Sequence, residues 1–323
     1  MTQLSYRKAV ARALTDELAA DDTVFLLGED IRAAASHVTA GLATRFGEDR
    51  VIDAPLSEQA FTSFATGAAM AGLRPVIEFA IPSLLFLVCE QIANHAHKFS
   101  LMTGGQTRVP VTYLITGSGS RTGWAGQHSD HPYSLFSHLG IKTVVPATPS
   151  DAYGLVRSAI QDDDPVVVFA PAGALDLRSD LDFAALTTVP LGSGVVARPG
   201  TDVTVVAIGH LVQTALAAAV RVADRISVEV FDPRSLYPFD WDGLIASVEK
   251  TRRLVVFDDS NRSNGMAGEI ISSVVERLVL ATPPRRITRP DGAVLPFAAE
   301  LDRAVQPNQD LLITAIEQVM EAR

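Results

Sequence analysis

KTVVPATPSDAYGLVRSAIQDDDPVVVF, residues 142–169, decides the fold of this 323-residue chain. Its two apolar runs, 142–146 and 165–169, have the length and β-branched composition of buried strands. Between them the apolar residues recur with helical period, and Ser150 is predicted to cap that helix. A strand, a helix and a second strand in this order are typical of a parallel sheet covered by helices.

The same alternation continues toward the N-terminus. Ser5 is predicted to cap a helix, and a strand is predicted to begin at Thr23. Two further apolar runs, at residues 74–79 and 110–116, are also predicted strands. These elements predict one mainly parallel sheet with helices on both faces.

A second unit of the same kind follows. TDVTVVAIG (201–209), ISVEVFD (226–232) and RRLVVFDDS (252–260) are predicted to be buried parallel strands separated by helices. Periodicity fails at residues 170–194, where we expect a linker. The chain is therefore predicted to be an α/β protein with two doubly wound domains, residues 1–185 and a smaller one at 190–323. Ligands of such sheets gather at the carboxyl ends of the strands.

Composition narrows the class of protein. Hydrophobic residues make up 47% of the chain and charged residues 20%, as in globular proteins with a large core. The net charge of −10 argues against a nucleic-acid partner, because phosphate binding needs a basic surface. Cys89 is the only cysteine, which favours a reducing compartment. With neither a signal-peptide pattern nor a membrane-spanning run, a cytoplasmic location and no membrane partner are expected.

Common nucleotide and metal motifs are missing from the sequence. It contains neither a GxxxxGK[ST] loop nor a GxGxxG loop after a strand, and no HExxH or GxSxG pattern. The glycine-rich stretch at residues 116–126 lacks the spacing and the lysine that hold phosphates. The chain itself is therefore not expected to bind a diphosphate.

Five dispersed segments carry a resemblance to a known family. They are GED (28–30), FGEDRVIDAPLSEQA (46–60), GLRPVIEF (72–79), EQIANHAHKF (90–99) and AGQHSDHP (125–132). Together they resemble the β subunit of the decarboxylating component of pyruvate, branched-chain 2-oxoacid and acetoin dehydrogenases, in the transketolase superfamily. The resemblance continues to PPRRITRPDGAVLPFAAELDRAVQP near the C-terminus. It implies an N-terminal pyrimidine-binding domain and a C-terminal transketolase-type domain.

The resemblance also implies a cofactor and partners. In that family two β chains pair with two α chains, and thiamine diphosphate lies between them. The β chain holds the aminopyrimidine, whereas the α chain holds the diphosphate and Mg²⁺. The C-terminal domain contributes to dimer contacts and to docking on a lipoyl acyltransferase core. The expected activity is decarboxylation of a 2-oxoacid and acyl transfer to lipoamide, with the lone chain inactive.

Three residues of this sequence match acid–base positions of the family. Glu58 matches the catalytic glutamate, which donates or shares a proton at N1′ of the pyrimidine; such a carboxyl must stay protonated near neutrality, as burial allows. His128 matches a histidine placed near the substrate and the lipoyl group, where an ordinary pKa of about 6.5 suits proton transfer in both directions. Glu29 resembles an acid near the cofactor, and a solvated strand-end carboxylate is an almost equal alternative. The remaining histidines are expected to be structural: His37, His95, His97, His131, His138 and His210.

The sequence departs from the family after Glu78. Where aromatic rings normally pack on the pyrimidine, the alignment places Ile81 or Pro82 and Leu84. An aliphatic contact loses the extra attraction of about 0.5–1.5 kcal/mol that aromatic pairs add. Ile81 and Leu84 are therefore the expected cofactor contacts, and a housekeeping pyruvate substrate is less favoured. The substrate stays an unassigned 2-oxoacid.

Alternatives stay open at this point. Asp162 or Asp164 could help hold the structural monovalent cation of the family, although an acidic turn is more often a solvated loop, and no metal site is predicted. A split transketolase C-terminal chain would share the catalytic glutamate but would transfer a ketol unit between sugars. A β-like regulatory subunit without turnover is the third possibility.

Overall fold

The computed structural model describes residues 2–120, 123–182 and 185–321. The strands are β1 Thr2–Ser5, β2 Val24–Gly28, β3 Val51–Asp53, β4 Arg74–Phe79, β5 Thr112–Ser118, β6 Lys142–Val144, β7 Val166–Pro171, β8 Arg178–Leu181, β9 Val195–Arg198, β10 Val203–Ala207, β11 Val228–Asp232, β12 Ser235–Tyr237, β13 Leu254–Asn261 and β14 Arg285–Arg289. The helices are α1 Tyr6–Ala20, α2 Leu42–Phe46, α3 Glu58–Met70, α4 Leu84–Leu87, α5 Lys98–Met102, α6 Tyr133–His138, α7 Pro149–Gln161, α8 Leu211–Arg221, α9 Trp241–Thr251, α10 Met266–Val275, α11 Ala299–Val305 and α12 Gln309–Glu321. A π-helical segment, Gln91–His97, leads into α5, and a 3₁₀ turn, Gly126–His128, lies between β5 and α6.

The larger sheet has seven strands in the order β12-β6-β7-β5-β4-β2-β3. Six of them are parallel, and β12 is an antiparallel edge strand paired with β6. The predicted parallel sheet is therefore confirmed. Strand β12 was not predicted, because three residues with a turn on either side carry too little periodicity to be recognised.

The smaller sheet has five strands in the order β14-β13-β10-β11-β9. Strands β10, β11, β13 and β14 are parallel, whereas the edge strand β9 is antiparallel to β11. The three strands predicted for the second unit are confirmed. The expectation of two α/β units, the second one smaller, is also confirmed.

Helices cover both faces of the larger sheet, because buried side chains point alternately to its two faces along each strand. In β2, Val24 and Leu26 contribute to a core with α1 and α7, while Phe25 and Leu27 contribute to a second core with α3. That second core extends into the smaller sheet and includes Val256 of β13. The two sheets are thus packed against one shared apolar cluster.

Two local predictions need correction. Thr148 rather than Ser150 caps α7: it is extended, and its Oγ1 accepts a hydrogen bond from the Asp151 amide at 3.1 Å. Pro149 then occupies the first helical position, where its fixed φ and missing N–H are favourable. The expected linker, residues 170–194, is also not free of regular structure, because β8 lies within it and pairs with β1.

The domain boundaries, 1–185 and 190–323, stay a prediction. Within the described residues, no helix combines the length and the apolar character needed to cross a bilayer.

Candidate active site

The five predicted site residues follow neighbouring parallel strands. Glu29 comes directly after β2, and Ile81 and Leu84 come after β4. His128 lies beyond β5, which pairs with β4. Glu58 is the first residue of α3, which begins after β3, the neighbour of β2. Since the carboxyl ends of parallel strands share one edge of the sheet, all five residues belong to that edge.

Glu29 and Glu58 form a coupled carboxyl pair. Burial is the largest cause that raises the pKa of Glu29 to about 7, and the neighbouring carboxylates of Glu58 and Asp30 and a hydrogen bond with Glu58 contribute to the same shift. Repulsion between neighbouring carboxylates disfavours ionisation of Glu29, so Glu29 keeps its proton up to about pH 7. Among the described residues, Glu29 Oε1 is buried and has no hydrogen-bond partner.

The apolar side chains predicted for the site at this edge of the sheet are aliphatic. Ile81 and Leu84 are half-buried, and Leu84 packs against the shared core. Neither nearby phenylalanine replaces the absent aromatic rings. Phe79 is buried with its ring 5.8 Å from that of Phe61, and Phe86 is 52% exposed. Ile81 and Leu84 therefore present an aliphatic surface at this edge.

His128 lies on a different part of the edge from the carboxyl pair. Its ring is half-buried and lies 5.7 Å from the ring of Trp124, in a T-shaped arrangement. The described contacts join His128 to Trp124 and not to Glu29 or Glu58. Gly126, in the same turn, lies directly against Val294 of the smaller unit.

A buried ionic cluster between the two units was missed in the sequence. His131 Nε2 lies 3.4 Å from Asp259 Oδ2, and Arg289 Nε donates to Asp259 Oδ1 at 2.7 Å. The ring of His210 lies 6.3 Å from that of His131, nearly parallel to it. The sequence carried only part of this signal: His210 and Asp259 stand near the ends of predicted strands, whereas Arg289 ends β14, an edge strand that was not predicted.

The charges of this cluster are balanced internally. Burial alone would raise the pKa of Asp259, but Arg289, His131 and His210 hold it well below its usual range. Burial lowers the pKa of His210 to about 4, more than Asp259 can offset, so His210 is neutral at pH 7. His131, His210 and Asp259 offer atoms within 4.8 Å of one another, as metal ligands do. Here, however, Arg289 already supplies the positive charge beside Asp259.

Two basic side chains already contact the acidic turn after α7. Arg74 Nη1 donates to the carbonyl oxygens of Ile160, at 3.1 Å, and Asp162, at 2.9 Å. Lys142 Nζ lies 2.7 Å from Asp162 and 3.0 Å from Asp164. The oxygens considered for a monovalent cation are thus bonded to two basic side chains.

A large cavity lies elsewhere in the described residues. It measures about 1520 Å³ and lies between α6, β12, α9, α10 and β14. Tyr237, Trp241 and Met266 are among its lining residues, and none of the five predicted site residues lines it. This cavity is therefore separate from the candidate site.

Comparison with known proteins shows to which class of protein this chain belongs. Residues 2–176 match the transketolase pyrimidine-binding domain, and residues 192–311 match the transketolase C-terminal domain. A solved split-gene transketolase, described as an inactive β4 tetramer, superimposes with a TM-score of 0.81 over 99% of both chains. Its sequence identity is only 20%, so it supports the fold alone. The chain is a two-domain protein of the transketolase type.

Curated relatives narrow the class to one family. The β subunit of acetoin:2,6-dichlorophenolindophenol oxidoreductase of Bacillus subtilis is 37% identical, over 96% of this chain and 95% of its own length. The β subunit of 3-methyl-2-oxobutanoate dehydrogenase of Mycobacterium tuberculosis is also 37% identical, over 98% and 92%. The chain belongs to the family of β subunits of 2-oxoacid and acetoin dehydrogenases, and the resemblance seen in the sequence is confirmed.

The edge residues fit the pyrimidine end of thiamine diphosphate. Its ring nitrogen N1′ needs a carboxyl group that can share a proton, and Glu29, next to Glu58, is protonated up to about pH 7. The unpartnered Oε1 of Glu29 leaves hydrogen-bonding capacity at this point. Ile81 and Leu84 offer an apolar surface for the ring. No comparable set of residues for the diphosphate or Mg²⁺ was found in the sequence.

Proposed function

We propose that this chain is the β subunit of a thiamine-diphosphate-dependent 2-oxoacid dehydrogenase, which decarboxylates a 2-oxoacid and transfers the acyl group to lipoamide. The observation that carries the proposal is the coupled pair of Glu29 and Glu58 at the carboxyl edge of the sheet. It supplies the protonated carboxyl that thiamine chemistry requires near neutral pH. Family membership supports the same activity.

Glu58 is the residue proposed to act directly on the cofactor. When bound, thiamine diphosphate supplies the carbon nucleophile that adds to the substrate carbonyl. Glu58 would hold the proton at N1′ of the pyrimidine, and Glu29 would supply a protonated carboxyl beside it, because the pKa of Glu29 is raised to about 7.

His128 and the aliphatic residues complete the proposed site. His128 would exchange protons with the substrate oxygen and meet the incoming lipoyl group, because its half-buried ring can still be reached. Ile81 and Leu84 would pack against the pyrimidine. Their weaker contact favours a 2-oxoacid other than pyruvate, with its identity unassigned.

The proposed assembly needs an α subunit, with two α and two β chains. The α chain would hold the diphosphate and Mg²⁺, since this sequence has no phosphate-binding loop. Docking on a lipoyl acyltransferase core and a cytoplasmic location are part of the same proposal. They rest on the family resemblance and on the absence of targeting patterns in the sequence.

The lone chain is expected to be inactive. With thiamine diphosphate, Mg²⁺ and a panel of 2-oxoacids, it should release no CO₂ above background, because half of the cofactor site is missing. Addition of an α-type chain with a GDG…N diphosphate motif should restore release, and the α chain alone serves as the control. Turnover by the lone chain would contradict the proposal.

The same mixture of this chain and an α-type chain distinguishes the proposed function from the two alternatives. A ketose phosphate donor with an aldose acceptor tests for ketol transfer, the reaction of a split transketolase. Ketol transfer without CO₂ release would replace the proposed activity. An assembled complex that performs neither reaction would favour a regulatory β-like subunit.

Glu29→Gln is expected to change the pH dependence of the assembled enzyme. The raised pKa of Glu29 means that the wild-type pair keeps its proton below about pH 7 and loses it above that value, so kcat/KM should fall as the pH rises. The glutamine stays neutral at every pH, so this limb near pH 7 should disappear. Glu48→Gln, an exposed carboxylate paired with Arg32, is the control and should keep the limb. A Glu29→Gln profile identical to wild type would remove Glu29 from the pair's titration.

A further inference from the structure

The segment that carries His128 is attached to the smaller unit as well as to the end of its own strand β5. We define the histidine segment as residues 123–131, between β5 and α6. Near its start, Ser120 Oγ donates to the two carboxylate oxygens of Asp302 at 2.9 and 2.8 Å. Within it, Gly126 lies against Val294. Both Val294 and Asp302 lie after β14, in the smaller unit.

The end of the segment is fixed by His131. This side chain is only 4% exposed, and its Nε2 faces Asp259 Oδ2 at 3.4 Å. Asp259 is in turn held by Arg289, which is 2% exposed. The near-parallel ring of His210 lies on one side of His131. Three residues near three strand ends, Asp259, Arg289 and His210, therefore define one position for the His131 ring.

Gly119 makes room for that position. Its φ is +87°, and a Cβ built on it would lie 2.3 Å from His131 Nε2, far inside van der Waals contact. The Gly119 amide also donates to the carbonyl oxygen of Asp130 at 2.6 Å, which joins the two ends of the loop. An alanine at position 119 would displace His131 without altering a charge.

We propose that His131 is a positioning residue for His128: docked on Asp259 and opposite Gly119, it fixes the histidine segment so that His128 faces the substrate. This inference rests on the proposed function of His128. Only two residues separate the two histidines, so displacement of His131 is passed along the backbone. A misplacement of about 1 Å at a reacting group can lower the rate by up to about 10²-fold.

The test is a double-mutant cycle in the assembled enzyme with its α subunit and thiamine diphosphate. Gly119→Ala should lower kcat by about tenfold or more while KM for the 2-oxoacid changes little. In the His128→Gln background the same substitution should have less than about a twofold effect, because there is no imidazole left to position. Equal losses in both backgrounds, or no loss in either, would overturn the inference.

Gly105→Ala is the matched control for backbone strain. Gly105 has φ +78°, but a Cβ at this position meets nothing within 4 Å. Gly105→Ala should therefore introduce the same backbone strain as Gly119→Ala, but it should leave kcat unchanged. If Gly119→Ala does not fold, His131→Asn takes its place in the cycle, since it leaves the ion pair of Asp259 and Arg289 intact.

A second readout does not depend on activity. Amide hydrogen exchange of residues 123–131 should become at least about tenfold faster in Gly119→Ala than in Gly105→Ala. Unchanged exchange would overturn the positioning role even if activity fell. If His128→Gln keeps full activity, the proposed role of His128 fails, while faster exchange in Gly119→Ala would still support the docking of the segment by His131.

Discussion

Glu58→Ala in the assembled enzyme is expected to lower the rate of 2-oxoacid decarboxylation by about 10²–10⁴-fold, the usual contribution of a positioned acid–base group. The substitution removes the carboxyl proposed to hold the proton at N1′ and leaves Glu29 without its coupled partner. Single-turnover CO₂ release measures the effect, because it isolates the chemical step from acyl transfer.

The fold should survive this change. Glu58 is only half-buried at the first position of α3, and Ser57 makes no side-chain capping bond there, so little local structure depends on it. Circular dichroism and assembly with the α subunit should match those of wild type. Glu48→Ala, at an exposed carboxylate in the same region of the chain, should leave the rate unchanged. Normal turnover by a folded Glu58→Ala enzyme would exclude Glu58 from the mechanism.

Arg289→Met is expected to be the most destabilising substitution at the boundary between the units. It would leave Asp259, which is 3% exposed, as a buried carboxylate without its guanidinium partner. Breaking a buried ion pair in this way costs about 3–5 kcal/mol. The midpoint of urea unfolding, followed by tryptophan fluorescence, should fall accordingly.

Two further variants separate charge from packing. Arg225→Met breaks an exposed ion pair with Glu317 and should cost no more than about 1 kcal/mol. Asp259→Asn combined with Arg289→Met removes both buried charges and should recover part of the lost stability. If the double variant were as unstable as the sum of its two single variants, the ion pair would not be the cause of the loss.

Much of the fold could be predicted because long apolar runs dominate it. Strand β4 has the bounds expected from RPVIEF, and the β-strand, α7, β-strand unit of residues 142–169 is present as predicted. The missed strands β3, β9, β12 and β14 are edge strands, and β1 and β8 pair with each other; all six are too short to carry a clear periodic signal. The helix cap was placed two residues late because Ser150 and Thr148 are both good capping residues, and only the backbone shows which one is extended.

For the candidate site, individual residues could be predicted from the sequence, but their proximity in space could not. Glu58 and Glu29 stand in recognisable segments, but their coupling depends on distance in space, which the 28 intervening residues conceal. The cluster of His131, His210, Asp259 and Arg289 draws on four separate parts of the chain. Each residue alone is an ordinary polar side chain at the end of an element. Only the packing of the two sheets shows that they form one group.

Strand β12 has a consequence for how the chain is made. It comes from residues 235–237, yet it completes the edge of the larger sheet by pairing with β6. During synthesis, the first 185 residues can assemble their six parallel strands while the backbone groups of β6 are still unpaired on one side. The growing protein therefore exposes the edge of β6, which favours aggregation, until about fifty more residues have been added. A fragment that ends at residue 185 would expose this edge permanently.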